Sequence, residues 1–507
     1  MYHTLEWLIT AFSVTLVFIV FEMQAYTIPT GSMADTLKGA HFRLRCPACG
    51  YRYDYDFIPQ RYGGARNTTP GNNISIGRSQ PRCPSCGYYL QSGERFAVMK
   101  GDRIFVLKCV YQFFKPRRWD VVVFKNPLNP GENYIKRLIA RPGETVELID
   151  GDVYIDGQIA RKPAKVQEEF WMCVYSNDYR PANPALSGFN GHRWGQPFRN
   201  DEGSSWELGE EGSTVFRLSG VEGEFHSIYY DTKVGNDFRA TYAYDSPTQY
   251  SLMPTCSDLM VEFYVDGLDM PDVVGASLSK YGIEYRGWVS HSGELVIERV
   301  GKEGVGEELA RRESDFSDIG GKVRFRFSNV DHELVLETGD EQLRCDLGRG
   351  REDAGSRTES MPRVGIFGQG SLGLSNVGVF RDVHYISKSM SRSTSILQAQ
   401  EGEVFKLGDD EYFVLGDNSP ASLDSRYWNV PGTGNRGREY RQGTVPADYL
   451  VGKAFFVYWP GPFKPFNDTK FAGLLERSGY GRFLKILMNV PYLGGMKIIY
   501  GSSAVSQ

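Results

Sequence analysis

Runs in which apolar and polar residues alternate, each closed by Gly, Asp, Asn or Ser, recur through most of this chain and confine it to antiparallel β architecture. Residues 96–160 hold FAVMKGDRIFVLK, WDVVVFKNP and YIKRLIARPGETVELIDGDVYIDGQ, with Asp150-Gly151 and Asp156-Gly157 set as hairpin turns. A second series follows with DLMVEFYVDG (258–267), GELVIERV (293–300), GKVRFRFSN (321–329), HELVLE (332–337), VGIFGQ (364–369) and VGVFRDVHYI (377–386), the rhythm of a β-sandwich or jelly roll. At 507 residues the chain exceeds one core, and about two to four domains are expected. Its 57 basic and 62 acidic residues leave a net charge of −5, so no basic field invites nucleic acid, and none is expected as a partner.

One segment departs from the strand rhythm. Trp7 to Phe21, WLITAFSVTLVFIVF, carries no charge between Glu6 and Glu22. At about 1.5 Å per residue it is slightly short for a hydrocarbon core of roughly 30 Å, and extension through Met23, Ala25 and Tyr26 would complete a span. A cleaved secretory leader is the other reading, but the segment before the run lacks Lys and Arg. Residues 1–25 are therefore expected to be an uncleaved transmembrane anchor. Lys38, Arg43 and Arg45 follow the run, so charge does not set its orientation.

Ile28-Pro29-Thr30-Gly31-Ser32-Met33 comes next, where Pro29 and Gly31 fix a tight backbone that can present the Ser32 hydroxyl to a carbonyl. A nucleophilic serine needs a base. None of the seven histidines (His3, His41, His192, His226, His291, His332 and His384) stands in a triad-like motif. Lysine can serve if burial brings its pKa from ~10.4 to ~7–8, at a cost of about 3–4 kcal/mol. In Tyr134-Ile135-Lys136-Arg137-Leu138-Ile139, strand alternation puts Lys136 on the face of Tyr134 and Leu138, and Arg137 on the other. Taken singly, Ser32 reads as well as a turn serine and Lys136 as a surface lysine.

Their order changes that balance. Thr30-Gly31-Ser32-Met33 behind an apolar run is followed by Gly101-Asp102-Arg103 with Lys108. Then come Tyr134-Ile135-Lys136-Arg137 leading into Arg141-Pro142-Gly143-Glu144, and Gly416-Asp417-Asn418 with Ser422, Asp424, Ser425 and Arg426. Val445-Pro446 and Val451-Gly452-Lys453-Ala454 fit the same series, which resembles type I signal peptidases over under half of the chain. The resemblance implies Ser32 as nucleophile, Lys136 as general base and Ser422 as the hydroxyl that orients the amine. It implies Thr30 beside the Ser32 N–H at the oxyanion, Asp424 with Arg426 as a supporting ion pair, and Asp417 as structural. Tyr26, Ile28 and Ile135 match positions lining the pockets for small residues before the cut, with core packing as the alternative. It further implies signal peptides of exported preproteins and the lipid bilayer as partners, and no catalytic cofactor. The location implied is the cytoplasmic (inner) membrane, single-pass, with the catalytic domain on the exported side. One departure stands out: the family has proline three residues after the nucleophile, where this chain has Asp35. A carboxylate close to Lys136 would oppose its neutralisation.

Two additions complete the organisation. Cys46-Pro47-Ala48-Cys49-Gly50-Tyr51 and Cys83-Pro84-Ser85-Cys86-Gly87-Tyr88 are matched knuckles whose four thiolates could close a tetrahedral structural zinc site; disulfides or free thiols are the alternatives. The expected fold is thus mainly β. A signal-peptidase antiparallel core (26–45, 91–165 and 396–460) follows the transmembrane helix and is interrupted by a zinc-ribbon insert (46–90) and a concanavalin- or laminin-G-like sandwich (166–395). Ser387 to Ser395 reads as a linker, and 461–507 as a tail with an amphipathic stretch from Arg482 to Val490. The sandwich could serve as decoration or bind a glycan or protein ligand. Rival functions are a membrane-anchored binding scaffold and a Ser–Lys self-cleaving regulator.

Overall fold

The computed structural model describes residues 2–58, 73–76, 80–186, 189, 193–209, 213–219, 223–244, 253–266, 273–301, 304–314, 322–350, 361–387, 397–435, 437–460 and 493–501. Most of the expected linker, the amphipathic stretch of the tail and much of the loop between the cysteine pairs lie outside the described residues.

The chain is mainly antiparallel β. An eight-stranded sheet runs Met23–Thr27, Arg103–Leu107, Leu450–Trp459, Val121–Asn126, Asn129–Ala140, Glu411–Leu415 and Val445–Pro446, with Lys497–Ile498 added beside Leu450–Trp459. Val121 to Phe124 are four apolar residues in a row, all buried, because this strand is covered on both faces. One face packs Ile28, Met33, Leu37, Ile104 and Val123. Trp119, Ile139, Leu148, Phe170, Phe413 and Leu415 form a second core that also takes in a four-stranded sheet of Gln158–Ile159, Asp152–Ile155, Thr145–Ile149 and Phe405–Lys406.

The middle of the chain folds as two seven-stranded antiparallel sheets. Their inner faces meet in one core in which Phe263 and Phe325 stack at 4.6 Å between centroids. Strand Met172–Ser176 enters this sandwich and Ser371–Arg381 leaves it. The two pair antiparallel with Met172 opposite Arg381, so the chain enters and leaves the sandwich at one place. Its base is tied to the four-stranded sheet by a buried charge cluster. Lys162 pairs with Asp331 at 2.5 Å and with Asp382 at 2.9 Å, while Lys280 pairs with Asp258 and, at 3.6 Å, with Asp152. Two buried cations among four carboxylates make this a structural tie.

The cysteine pairs sit on a small sheet ordered Arg52–Asp56, His41–Arg45, Arg95–Met99 and Asn73–Ser75. The two knuckles repeat one another. Cys46 N–H donates to Tyr51 O (2.8 Å) and Gly50 N–H to Cys46 O (2.8 Å). Cys83 N–H donates to Tyr88 O (2.9 Å) and Gly87 N–H to Cys83 O (3.0 Å). Gly50 and Gly87 take φ of 80° and 77°, which the turn demands and glycine alone adopts freely.

The N-terminal run forms a helix, Tyr2–Phe21. Among the described residues, no helix is long and apolar enough to cross a membrane. After Phe21 the chain turns directly into strand Met23–Thr27.

Candidate active site

Ser32 lies in a single 3-10 turn, Gly31–Met33, and Lys136 in strand Asn129–Ala140, 104 residues further on. The fold brings Lys136 Nζ to 2.7 Å from Ser32 Oγ, with a second bond to Ile135 O at 3.1 Å. Ser32 is 8% exposed and Lys136 4%. Burial disfavours the ammonium and Arg426 adds to that, outweighing the pull of Asp424 and Asp417, so the Lys136 pKa falls from 10.5 to about 8. An amine of that pKa is partly neutral near pH 7 and can take a proton from the hydroxyl it touches. The Tyr134 ring, 5.5 Å from Nζ, supplies part of its apolar wall.

The serine turn is clasped by the loop after Leu415. Asn418 donates from Nδ2 to Gly31 O (3.1 Å) and from its backbone N–H to Ser32 O (3.1 Å). Gly416 must be glycine here. A Cβ would stand 2.2 Å from Ser422 Oγ and 2.5 Å from Ser32 O. Asp424 and Arg426 are wholly buried and paired twice, Nε to Oδ1 at 2.9 Å and Nη2 to Oδ2 at 2.8 Å. Asp424 also accepts the Gly416 N–H (3.0 Å), and Arg426 holds Ile386 O and Ser419.

The remaining residues singled out by sequence fall as follows. Ser422 is buried beside the serine turn, but its Oγ makes no hydrogen bond, so it does not hold the amine in this state. Thr30 is exposed at the mouth of the turn, and its hydroxyl does not cap that turn. Ile28 is packed away at 3% exposure with Met33 and Leu37, its N–H bonded to Asp102 O (2.8 Å), whereas Tyr26 and Ile135 are half-buried against it. Asp35 is not among the charges acting on Lys136; it lines a cavity of about 310 Å³ and acts on Lys38.

Sequence reasoning set Arg137 aside as the residue pointing the other way. That residue is fully buried and grips Asp417 with two bonds (2.8 and 2.7 Å), with a further bond to Trp119 O (2.9 Å). It thereby fixes the loop that clasps Ser32. The signal was the alternation itself: a strand buried on both faces needs a partner for any charge on either face. Two tyrosines of the sandwich, Tyr242 and Tyr244, also reach this site, and no local pattern marks them.

At the cysteine knuckles Cys46 and Cys86 stand 3.6 Å apart, Cys49 and Cys83 3.7 Å apart, and all four sulfurs lie within 4.8 Å of one another. A disulfide needs about 2.05 Å. Four sulfurs around one ion at about 2.3 Å are separated by roughly 3.8 Å, so the donor set fits a tetrahedral metal.

The family model described as signal peptidase, peptidase S26, matches residues 91–180 and 373–459. A probable signal peptidase I-1 of Synechocystis sp. is 41% identical over 90 residues, 16% of this chain and 43% of that protein. Signal peptidase I of Aquifex aeolicus is 52% identical over 50 residues (10% and 20%), and that of Rickettsia canadensis 29% over 153 residues (30% and 42%). The chain thus spans less than half the length of these relatives. Among solved structures, the exoplasmic/lumenal domain of VIP36 aligns with 44% of this chain and 95% of its own at a TM-score of 0.25 and 8% identity, too low to bear on fold or ligand. The matched segments hold Lys136, Ser422, Asp424 and Arg426, and the serine turn is delivered to them from outside. Residues 91–180 and 373–459 are therefore similar to signal peptidases of the peptidase S26 family, and a β-sandwich lies between the two matched segments.

Proposed function

We propose that this chain is a serine endopeptidase that removes N-terminal signal peptides from exported preproteins. The observation that carries the reading is the 2.7 Å contact between Ser32 Oγ and a buried Lys136 amine whose pKa lies near 8. Neutral Lys136 takes the Ser32 proton as Oγ bonds to the scissile carbonyl carbon. The tetrahedral oxyanion accepts from the Ser32 N–H and the Thr30 hydroxyl. Collapse breaks the C–N bond, and the Lys136 ammonium returns its proton to the leaving amine. Water, deprotonated by Lys136, then releases the acyl group. Ser422 steadies the amine once its hydroxyl turns toward Nζ, and the Asp424–Arg426 pair keeps the loop in place.

The substrate adds as an extended strand between the Ile28 and Ile135 segments, where half-buried Tyr26 and Ile135 set small pockets. Helix Tyr2–Phe21 embeds in the cytoplasmic membrane and holds the catalytic region on its exported side. Trp7, Leu8 and Phe12, exposed at 76%, 64% and 71%, support that placement. Cys46, Cys49, Cys83 and Cys86 hold a structural zinc, and catalysis needs no cofactor. The body of the sandwich docks a glycan or protein ligand. Cleavage of a preprotein in detergent tests the reading: wild type should cut, and Ser32→Ala and Lys136→Ala should not. Equal cutting by all three refutes the mechanism.

A further inference from the structure

The inserted sandwich sends one short arm into the peptidase site. Phe238 is wholly buried in the sandwich core. The arm is then held as a ladder with the returning chain, Ala240 N–H to Pro254 O (2.8 Å) and Cys256 N–H to Phe238 O (2.7 Å). Beyond that base stand Tyr242 and Tyr244, 4% and 1% exposed, packed with Ala34 two residues after the nucleophile.

Each tyrosine meets a different half of the site. Tyr242 donates its hydroxyl to Asp417 O (2.9 Å), and Arg381 of the sandwich stacks over its ring at 5.2 Å. The Asp417 side chain is the one that Arg137 grips, and the next residue, Asn418, holds Gly31 and Ser32. Tyr244 lies against the serine turn itself. A Cβ at Gly31 would come within 2.3 Å of its Cε1 and 2.7 Å of its Cδ1, so the ring fills the space that a side chain at position 31 would take. Its hydroxyl donates to Gly39 O (3.3 Å) and its carbonyl accepts the Asp56 N–H (3.3 Å), which fixes the ring from both ends. The nucleophile turn is a three-residue 3-10 helix with no side-chain cap, so its position is set by what presses on it.

We propose that residues 238–244 are a positioning arm of the peptidase site: Tyr244 wedges the Ser32 turn toward Lys136 from the Gly31 side, and Tyr242 anchors the Asp417–Asn418 clasp. The inserted sandwich is thus a working part of the enzyme and not an appendage. This rests on the peptidase reading above, and the experiment separates the two. Tyr242 and Tyr244 touch neither substrate nor the reacting atoms, so their loss acts through the distance between Ser32 and Lys136, which lowers kcat and leaves KM nearly unchanged.

The test is signal-peptide cleavage by the full chain, with kcat and KM measured separately. Tyr244→Ala should lower kcat roughly 10²-fold with KM within about twofold, and Tyr244→Phe, which keeps the ring, should restore most of it. Tyr242→Phe removes one hydroxyl and no volume, and should lower kcat roughly threefold to tenfold. Gly31→Ala should be inactive because its methyl meets the Tyr244 ring. Adding Tyr244→Ala should bring activity back at least about tenfold, a gain that a misfolded protein cannot give. A double variant no more active than Gly31→Ala, or Tyr242→Phe with wild-type kcat, overturns the proposal. If the wild type itself leaves the substrate uncut, the peptidase reading fails first.

Discussion

Replacing Lys136 with Met in a Ser32→Ala background should make the peptidase core harder to open, because the structure holds an amine where an ammonium is disfavoured. The drop in Lys136 pKa from 10.5 to about 8 is worth roughly 3 kcal/mol of folded-state stability at about 1.4 kcal/mol per tenfold. The penalty applies in full below pH 8, where the folded protein must still bind the proton, and it fades as pH rises through 8 toward 10.5. Met keeps the volume of the stem, and Ser32→Ala removes the hydroxyl that would be left without its donor. Ile135 O loses its bond from Nζ, which returns about 1 kcal/mol. The net gain is about 2 kcal/mol, or roughly thirtyfold slower hydrogen exchange at pH 7 for peptides covering Asn129–Ala140. Urea midpoints should favour the Met variant at pH 7, cross between about pH 9 and 10, and favour Lys136 by about 1 kcal/mol above pH 10.5. A Met variant that is less stable at pH 7 by several kcal/mol would refute the reasoning, since that is what loss of a charged lysine paired with Asp424 and Asp417 would give.

Arg426→Met should cost about 3–5 kcal/mol in urea unfolding by leaving Asp424 buried and unpaired. Because Arg426 also lowers the Lys136 pKa, the onset of activity in that variant should move to higher pH. Thr30→Val should lower kcat roughly 10²-fold with little change in KM if its hydroxyl faces the oxyanion. Metal analysis should find one zinc per chain, and Cys83→Ser should lose it and expose the small sheet to protease.

Strand content was legible because alternation with Gly and Asp turns admits no other regular structure. Ser32 and Lys136 could be named because the motifs occur in an order that no single motif carries. Ser422 was named from its place in a motif, yet hydroxyl orientation is a matter of a single torsion that no spacing encodes. Arg137 was hidden by treating one face of its strand as solvent. Tyr242 and Tyr244 left no trace at all, since their contacts join residues more than a hundred positions apart through a domain whose pattern is that of any sandwich.

The pairing of Ser32 with a neutral Lys136 is tested most directly by acylation with an electrophilic signal-peptide analogue, followed by mass spectrometry across pH. The adduct should form on Ser32, at a rate that climbs with pH and levels off above about pH 8, and should be absent in Lys136→Met. Labelling of Ser32 at the same rate in Lys136→Met, or a rate in the wild type flat from pH 6 to 10, would contradict the account.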